Sequence, residues 1–266
     1  MLKKELTIVK VGGNIIDDEV KLHSFLKKFN KVKGFKILVH GGGKLATDLS
    51  VKMGIATKMV NGRRITDAET LKVVVMVYTA TNKSIVAQLN ALGTVSIGIC
   101  GADLNMIPAK KREVANIDYG FVGDVLVNEI PAEEWNKSLE RGVCSVVAPI
   151  TADLTGQLLN TNADTIASSV AQALGKLYSV KLIYCFEKDG VLKNPIDDTS
   201  VIQNIRPDEY TSLKGQGIIS KGMIPKLDNA WNALNSGVND VIIGNALHID
   251  KLTSSTHKTG TQLSLQ

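Results

Sequence analysis

Two apolar runs end abruptly in glycines, Ile8-Val9-Lys10-Val11-Gly12-Gly13 and Lys36-Ile37-Leu38-Val39-His40-Gly41-Gly42-Gly43-Lys44, and together they limit what this chain can fold into. Each reads as a buried strand whose carboxyl end opens into a turn with no side chains in the way. Such a turn lets backbone N–H groups approach an anion. The lysine at position 10 interrupts the first run, and an ammonium buried there requires a negatively charged partner. Two neighbouring strand ends of this kind, one of them carrying a lysine, point to a phosphate site.

Composition narrows the class. Of 266 residues, 44% are hydrophobic and 21% charged, which suits a sizeable core in one large or two closely joined domains. Twenty-three glycines against six prolines, with 5% aromatics, fit the strand-to-helix turns of an α/β protein better than a β-sandwich. Lysine and arginine number 31 against 26 acidic residues, a formal charge of +5. The charges are mixed, with no arginine-rich tail or aromatic-basic interleaving, so nucleic-acid binding is not expected. A small acidic ligand needs only a local positive field. Cys100, Cys144 and Cys185 stand apart in apolar surroundings and read as buried free thiols of a reducing compartment. The first residues run directly into a strand and no long uncharged apolar segment follows. We therefore expect neither signal peptide nor membrane span, and a cytoplasmic location.

Along the chain, strand and helix signals alternate. Strands are expected over 6–11, 36–40, 95–99, 143–150, 181–186 and 240–243, with an edge strand carrying Thr261 and Leu263. Helices are expected over 18–31, 44–53, 67–92 and 131–140, from the 160–164 segment to Gly175, and up to Gly237. Residues 110–130 read as a hairpin region, and Asn61-Gly62 as a turn carrying Arg63 and Arg64. In the 67–92 helix the apolar positions spread round much of the circumference, which suggests packing on a partner subunit as well as on its own core. The whole predicts a three-layer αβα sandwich with a central, mostly parallel sheet. Such sheets bind ligands outside their carboxyl ends.

Several familiar sites are excluded by their motifs. No G-x-x-x-x-G-K-[ST] is present. Gly215-Gln216-Gly217-Ile218-Ile219-Ser220 approaches a dinucleotide fingerprint but follows Thr211-Ser212-Leu213-Lys214 instead of a strand. His40-Gly41-Gly42-Gly43 matches a lipase oxyanion motif in letters, without any G-x-S-x-G. His23, His40, His248 and His257 lack metal-ligand spacing, so a structural zinc is not expected. What remains is Lys10, Gly12, Gly13, Gly41, Gly42, Gly43, Arg64, Asn160, Asp164 and Lys226. Phosphoryl transfer needs donors and cations around the moving group more than a covalent nucleophile. Each residue alone has an ordinary reading: Lys226 as a solvated helix lysine, Arg64 as a surface turn residue, Asp164 as a helix cap. Lys10 is the exception. On the residues alone, the chain is an α/β enzyme for an anionic ligand.

Six segments go further. Lys10-Val11-Gly12-Gly13, His40-Gly41-Gly42-Gly43, Asn61-Gly62-Arg63-Arg64-Ile65-Thr66, Gly120-Phe121-Val122-Gly123-Asp124-Val125, Asn160-Thr161-Asn162-Ala163-Asp164 and Gly222-Met223-Ile224-Pro225-Lys226 resemble, in that order, the motifs of the acetylglutamate kinases of the amino acid kinase family. The resemblance spans residues 8 to 261. It implies a reaction of ATP with an N-acyl-L-glutamate to give ADP and the acylglutamyl 5-phosphate in arginine synthesis, with Mg2+ carried by ATP through phosphates and water. By the same resemblance Lys10, Lys226, Gly13 and Gly43 surround the transferring group, and Asp164 orients the two lysines. Gly12, Gly13 and Asp189 fall on the nucleotide side with Lys10 and Lys226. Gly42, Gly43, Arg64 and Asn160 hold the acceptor, with Arg64 on its α-carboxylate.

The resemblance further implies an acylglutamate-binding and dimerisation lobe at 1–178, an ATP-binding lobe at 179–266, and a homodimer without arginine feedback. N-acetyl is the default acyl group. The alternative N-succinyl group would want an additional cation, for which the basic run 110–112 is the candidate. A kinase of glutamate or carbamate, and a silent sensor of the same fold, are the other readings. Three stretches depart from the usual pattern: Cys100-Gly101-Ala102-Asp103, Thr79-Ala80-Thr81-Asn82-Lys83, and the nucleotide-side loop Phe186-Glu187-Lys188-Asp189-Gly190-Val191.

Overall fold

A computed structural model describes residues 3–60, 62–219, 223–254 and 259–265; Asn61, Ser220, Gly222 and His257, singled out above, lie outside the described residues. Alternation along the first strand, β1 (Glu5–Val11), sets the architecture. Leu6 and Ile8 enter one apolar cluster and Val9 and Val11 another, so the strand is buried on both faces. Helix α1 (Glu19–Asn30) starts at Asp18, whose carboxylate accepts the N–H groups of Val20 and Lys21. Its Leu22, Phe25, Leu26 and Phe29 cover the Val9 face. Strand β2 (Phe35–His40), helix α2 (Gly43–Lys52) and the hairpin β3 (Lys58–Val60) and β4 (Arg63–Ile65) follow.

Asp67 then caps α3 (Ala68–Ala91) by accepting the Thr70 N–H. Its buried residues Leu71, Val74, Tyr78, Asn82, Ile85 and Leu89 form one stripe at helical spacing, while Met76 is exposed. Within one chain, the apolar residues of this helix are therefore not covered all round.

The chain continues through β5 (Ser96–Ile99), β6 (Ala109–Lys111), β7 (Gly123–Val125), α4 (Ala132–Glu140) and β8 (Cys144–Val147). The strand expected over 143–150 is two strands. Pro149 has no N–H to extend a ladder, and beyond it β9 (Ile150–Ala152) turns into an antiparallel pair with β10 (Leu158–Asn160). Then come α5 (Ala163–Leu174), β11 (Ser179–Phe186), β12 (Asn204–Ile205) and α6 (Pro207–Gly215). The Gly215-Gln216-Gly217 segment lies at the carboxyl end of α6, not between a strand and a helix. The last elements are α7 (Ile224–Asn235), β13 (Asp240–Asn245), α8 (Ile249–Leu252) and β14 (Thr261–Leu263).

Eight strands form the central sheet in the order β12-β14-β13-β11-β1-β2-β8-β5, parallel except where β14 meets β13. Residues 261–263 are thus not the edge strand expected of them, because β12 pairs on their outer side. Helices α4, α5 and α7 belong to the cluster of Leu6 and Ile8, and α1, α3 and α8 to the cluster of Val9 and Val11. Among the described residues no helix is long and apolar enough to cross a membrane.

Candidate active site

Strands β1 and β2 lie side by side in parallel register, with Lys10 opposite Val39 and Val11 opposite His40. Their glycine turns are consequently in contact. A Cβ on Gly41 would lie 3.2 Å from the Gly12 Cα, and a Cβ on Gly12 would lie 2.9 Å from the Lys10 Nζ. Gly42 has φ 152, and a side chain there would also meet the Tyr78 ring at 3.0 Å. Gly43 opens α2, so the unpaired N–H groups of that helix face the same crevice. His40 is fully buried. Its Nδ1 donates to the Gly41 carbonyl at 2.7 Å, which leaves Nε2 to accept from the Asn82 amide at 3.2 Å.

Lys10 sits on the β1 face that carries Leu6 and Ile8, the face covered by α5. There its Nζ pairs with Asp164 Oδ1 at 2.8 Å. The partner required by a buried ammonium is therefore Asp164. Asn162 caps α5 by accepting the N–H groups of Asp164 and Thr165, so Asp164 is not the cap; it occupies the first turn and its carboxylate is turned to Lys10. Lys226, in the first turn of α7, joins the pair. Burial pushes its ammonium below the ordinary lysine range, Asp164 opposes that, and Lys10 adds repulsion. It is not the solvated helix lysine of its ordinary reading.

Arg64 is buried too, and so is not a surface turn residue. One of its terminal nitrogens donates to the Gly43 carbonyl at 2.7 Å and the Thr47 hydroxyl at 2.8 Å, which fixes the guanidinium against the start of α2. The Asn160 amide donates to the Thr66 hydroxyl at 3.0 Å. Arg64, Thr47 and Asn160 line one cavity of about 510 Å³ with Gly42, Gly43, Asp164 and Lys226. A second cavity of about 360 Å³ shares Lys10, Gly12, Gly13 and Lys226 with the first and continues over Phe186, Val191, Ile218 and Ile219.

Asp189 does not line this cavity, although Lys188 and Gly190 on either side of it do; its carboxylate meets His248 Nδ1 at 3.1 Å. Among the residues that line the first cavity without having been assigned to the site from sequence are Tyr78 and Arg63. Tyr78 has the spacing of a core residue. Arg63 has no local signal beyond its place beside Arg64. The run 110–112 is occupied elsewhere, with Lys110 on Glu113 at 2.7 Å and Arg112 on Asp124 at 3.0 Å.

One pocket with an apolar lining and one with a polar, cationic lining, joined at two lysines and two glycines, form a site that can bring an anionic donor and an anionic acceptor end to end. No cluster of three acidic, histidine or cysteine ligands occurs among the described residues. With Asp164 engaged by Lys10, the donor set fits a magnesium ion held by phosphate and water oxygens, not a protein cage.

The chain belongs to the amino acid kinase family, whose sequence profile matches residues 5–245. Within that family it is similar to the acetylglutamate kinase of Phocaeicola vulgatus, at 52% identity over 243 residues covering 91% of this chain and 94% of the relative. The acetylglutamate kinase of Cytophaga hutchinsonii is likewise 52% identical over 262 residues, 98% of each chain. In fold it is similar to an N-acetylglutamate synthase from Neisseria gonorrhoeae solved with coenzyme A and N-acetyl-glutamate, with a TM-score of 0.84 at 18% identity. That match covers 98% of this chain and 59% of the synthase. A carbamate kinase from Giardia lamblia matches with a TM-score of 0.68 at 14% identity, over 99% of both chains.

Proposed function

We propose that this protein transfers the γ-phosphoryl group of ATP to the side-chain carboxylate of N-acetyl-L-glutamate, forming ADP and N-acetylglutamyl 5-phosphate in arginine biosynthesis. The observation that carries this reading is the junction of the two cavities at Lys10, Gly12, Gly13 and Lys226. A carboxylate oxygen attacks the γ-phosphorus while the bond to the β–γ bridging oxygen of ATP breaks, and the electron pair leaves with ADP. No general base is needed, since the acceptor is ionised at neutral pH. Lys10 and Lys226 neutralise charge on the transferring group, and Asp164 aims Lys10. The N–H groups of Gly12 and Gly13 take the ATP phosphates, and those of Gly42 and Gly43 take the acceptor end. Arg64 binds the α-carboxylate and Asn160 the amide portion of the acceptor.

Residues 1–178 form the acceptor lobe and 179–266 the nucleotide lobe, in a cytoplasmic homodimer. The lining supports this division, since the acceptor cavity draws on residues up to Asp164 plus Lys226, and the nucleotide cavity on Lys10 to Asn14 and on residues from Phe186 onward.

Arg63 favours a second reading. Its partly buried guanidinium lines the acceptor cavity, and desolvation, followed by repulsion from Arg112, pushes its proton affinity down. A carboxylate on the acyl group, as in N-succinyl-L-glutamate, would complement it. A coupled ADP-release assay with acetylglutamate, succinylglutamate, free glutamate and carbamate separates the readings. The highest kcat/KM is expected for acetylglutamate. Preference for succinylglutamate, abolished in Arg63→Leu, selects the second reading; free glutamate or carbamate as best substrate overturns both.

A further inference from the structure

Phe186 is the last residue of β11, two positions beyond Tyr184, which stands opposite Lys10 in the ladder. Its ring is within reach of both lysines: the Lys226 Nζ is 3.9 Å and the Lys10 Nζ 5.4 Å from the ring centroid. Among the described residues those two ammonium groups share one carboxylate, Asp164, and it is Lys10 that it contacts at 2.8 Å. Among the described residues, the charged groups flanking Phe186 and Lys226 have other partners. Glu187, directly after β11, accepts from the Asn14 amide at 2.5 Å, and Lys188 pairs with Asp198 at 2.5 Å. Asp228, on the helix of Lys226 itself, accepts the Tyr210 hydroxyl proton at 2.7 Å. An aromatic face, with its negative quadrupole, is thus what the structure sets against the second cation.

We propose that Phe186 is a positioning residue for phosphoryl transfer, its ring face holding the Lys226 ammonium charged and aligned beside Lys10 until the phosphates of the nucleotide take it over. This deepens the kinase reading and rests on it. An aliphatic side chain of similar size would keep the apolar surface and lose the attraction. Burial already disfavours the charged form of Lys226, so loss of the ring leaves it easier to deprotonate.

The test replaces Phe186 by Leu, Tyr and Trp in the full chain and follows Lys226 by lysine side-chain NMR titration without nucleotide, assigned with Lys226→Arg. Phe186→Leu is expected to lower the proton affinity of Lys226 by about tenfold, roughly one pH unit. The alkaline limb of kcat/KM for ATP should move by the same amount, with the acceptor KM changed less than about twofold. Phe186→Tyr and Phe186→Trp should restore both. An unchanged titration in Phe186→Leu, or Tyr and Trp variants no better than Leu, overturns the proposal. The titration requires no turnover, so absence of kinase activity in the wild type would sink the functional reading and leave this question decidable.

Discussion

Lys10 and Asp164 expose only 9% and 7% of their side chains, and each is tolerable in that position because of the other. Lys10→Ala should lower kcat by about 10²- to 10³-fold, the scale seen when a preorganised electrostatic group is lost. It should cost about 3 kcal/mol of stability, because Asp164 is left buried without its contact. The double variant Lys10→Met/Asp164→Leu removes both charges, so urea unfolding should find it more stable than Lys10→Ala while ADP release is no faster than in Lys10→Ala. His40 makes a separate case. Burial pushes it down to about 4 from 6.5, and its hydrogen bonds to Gly41 and Asn82 are those of a neutral ring. Between these values the unfolded chain binds the proton and the folded one does not, so stability is full above pH 6.5 and is lost as pH falls toward 4. The loss should reach about 3 kcal/mol in urea midpoints, and His40→Asn should flatten that slope while lowering stability throughout. The same four letters that resemble a lipase oxyanion motif therefore describe a structural histidine supporting a glycine turn.

At the scale of elements, α5 shows how a cap frees a functional side chain. Its opening at residues 160–164 was legible, but Asp164 has an equally good local reading as the cap. Only the fold reveals that Asn162 accepts the two orphan N–H groups while Asp164 turns to β1. Asn162→Ala should lower stability by about 1 kcal/mol in thermal unfolding. It should also lower kcat, because the first turn of α5 carries Asp164; Asn162→Ser should recover most of both. A variant with reduced stability and unchanged kcat would show that the cap has no part in holding Asp164. Glycine-terminated strands and capped helices were readable because period and punctuation are local. Tyr78 was not, since on the stripe of Leu71, Val74 and Asn82 its spacing is that of a core residue, and only α3 packing against α2 brings it to Gly42. Arg63 and Arg64 are adjacent in a short strand, and nothing local says that both will line one cavity.

At the scale of the molecule, the parallel sheet and the placing of the site at its carboxyl ends followed from alternating strand and helix, whereas the order of strands did not. Pairing of β11 with β1, across more than 160 residues, is what brings Phe186 to Lys10, and no local signal encodes it. The same strand order leaves β5 at one end of the sheet. That edge is long enough to template pairing and is not blunted by proline. Beside it Val95, Ile97 and, on the neighbouring α3, Met76 are 64%, 48% and 48% exposed. The opposite edge, β12, is only two residues long. A second copy of the chain covering β5 and α3 accounts for an apolar edge that one chain leaves open, and also for the apolar residues of α3 outside its buried stripe. Sedimentation or light scattering at micromolar concentration should therefore give a dimer. Ile97→Lys, which places a charge on that edge, should shift it to monomer with a lower thermal midpoint, while Val20→Lys on the exposed side of α1 should leave the dimer intact. Equal dissociation by both variants, or none by Ile97→Lys, would place the interface elsewhere. A hexamer, or inhibition of ADP release by arginine, would overturn the homodimer without feedback.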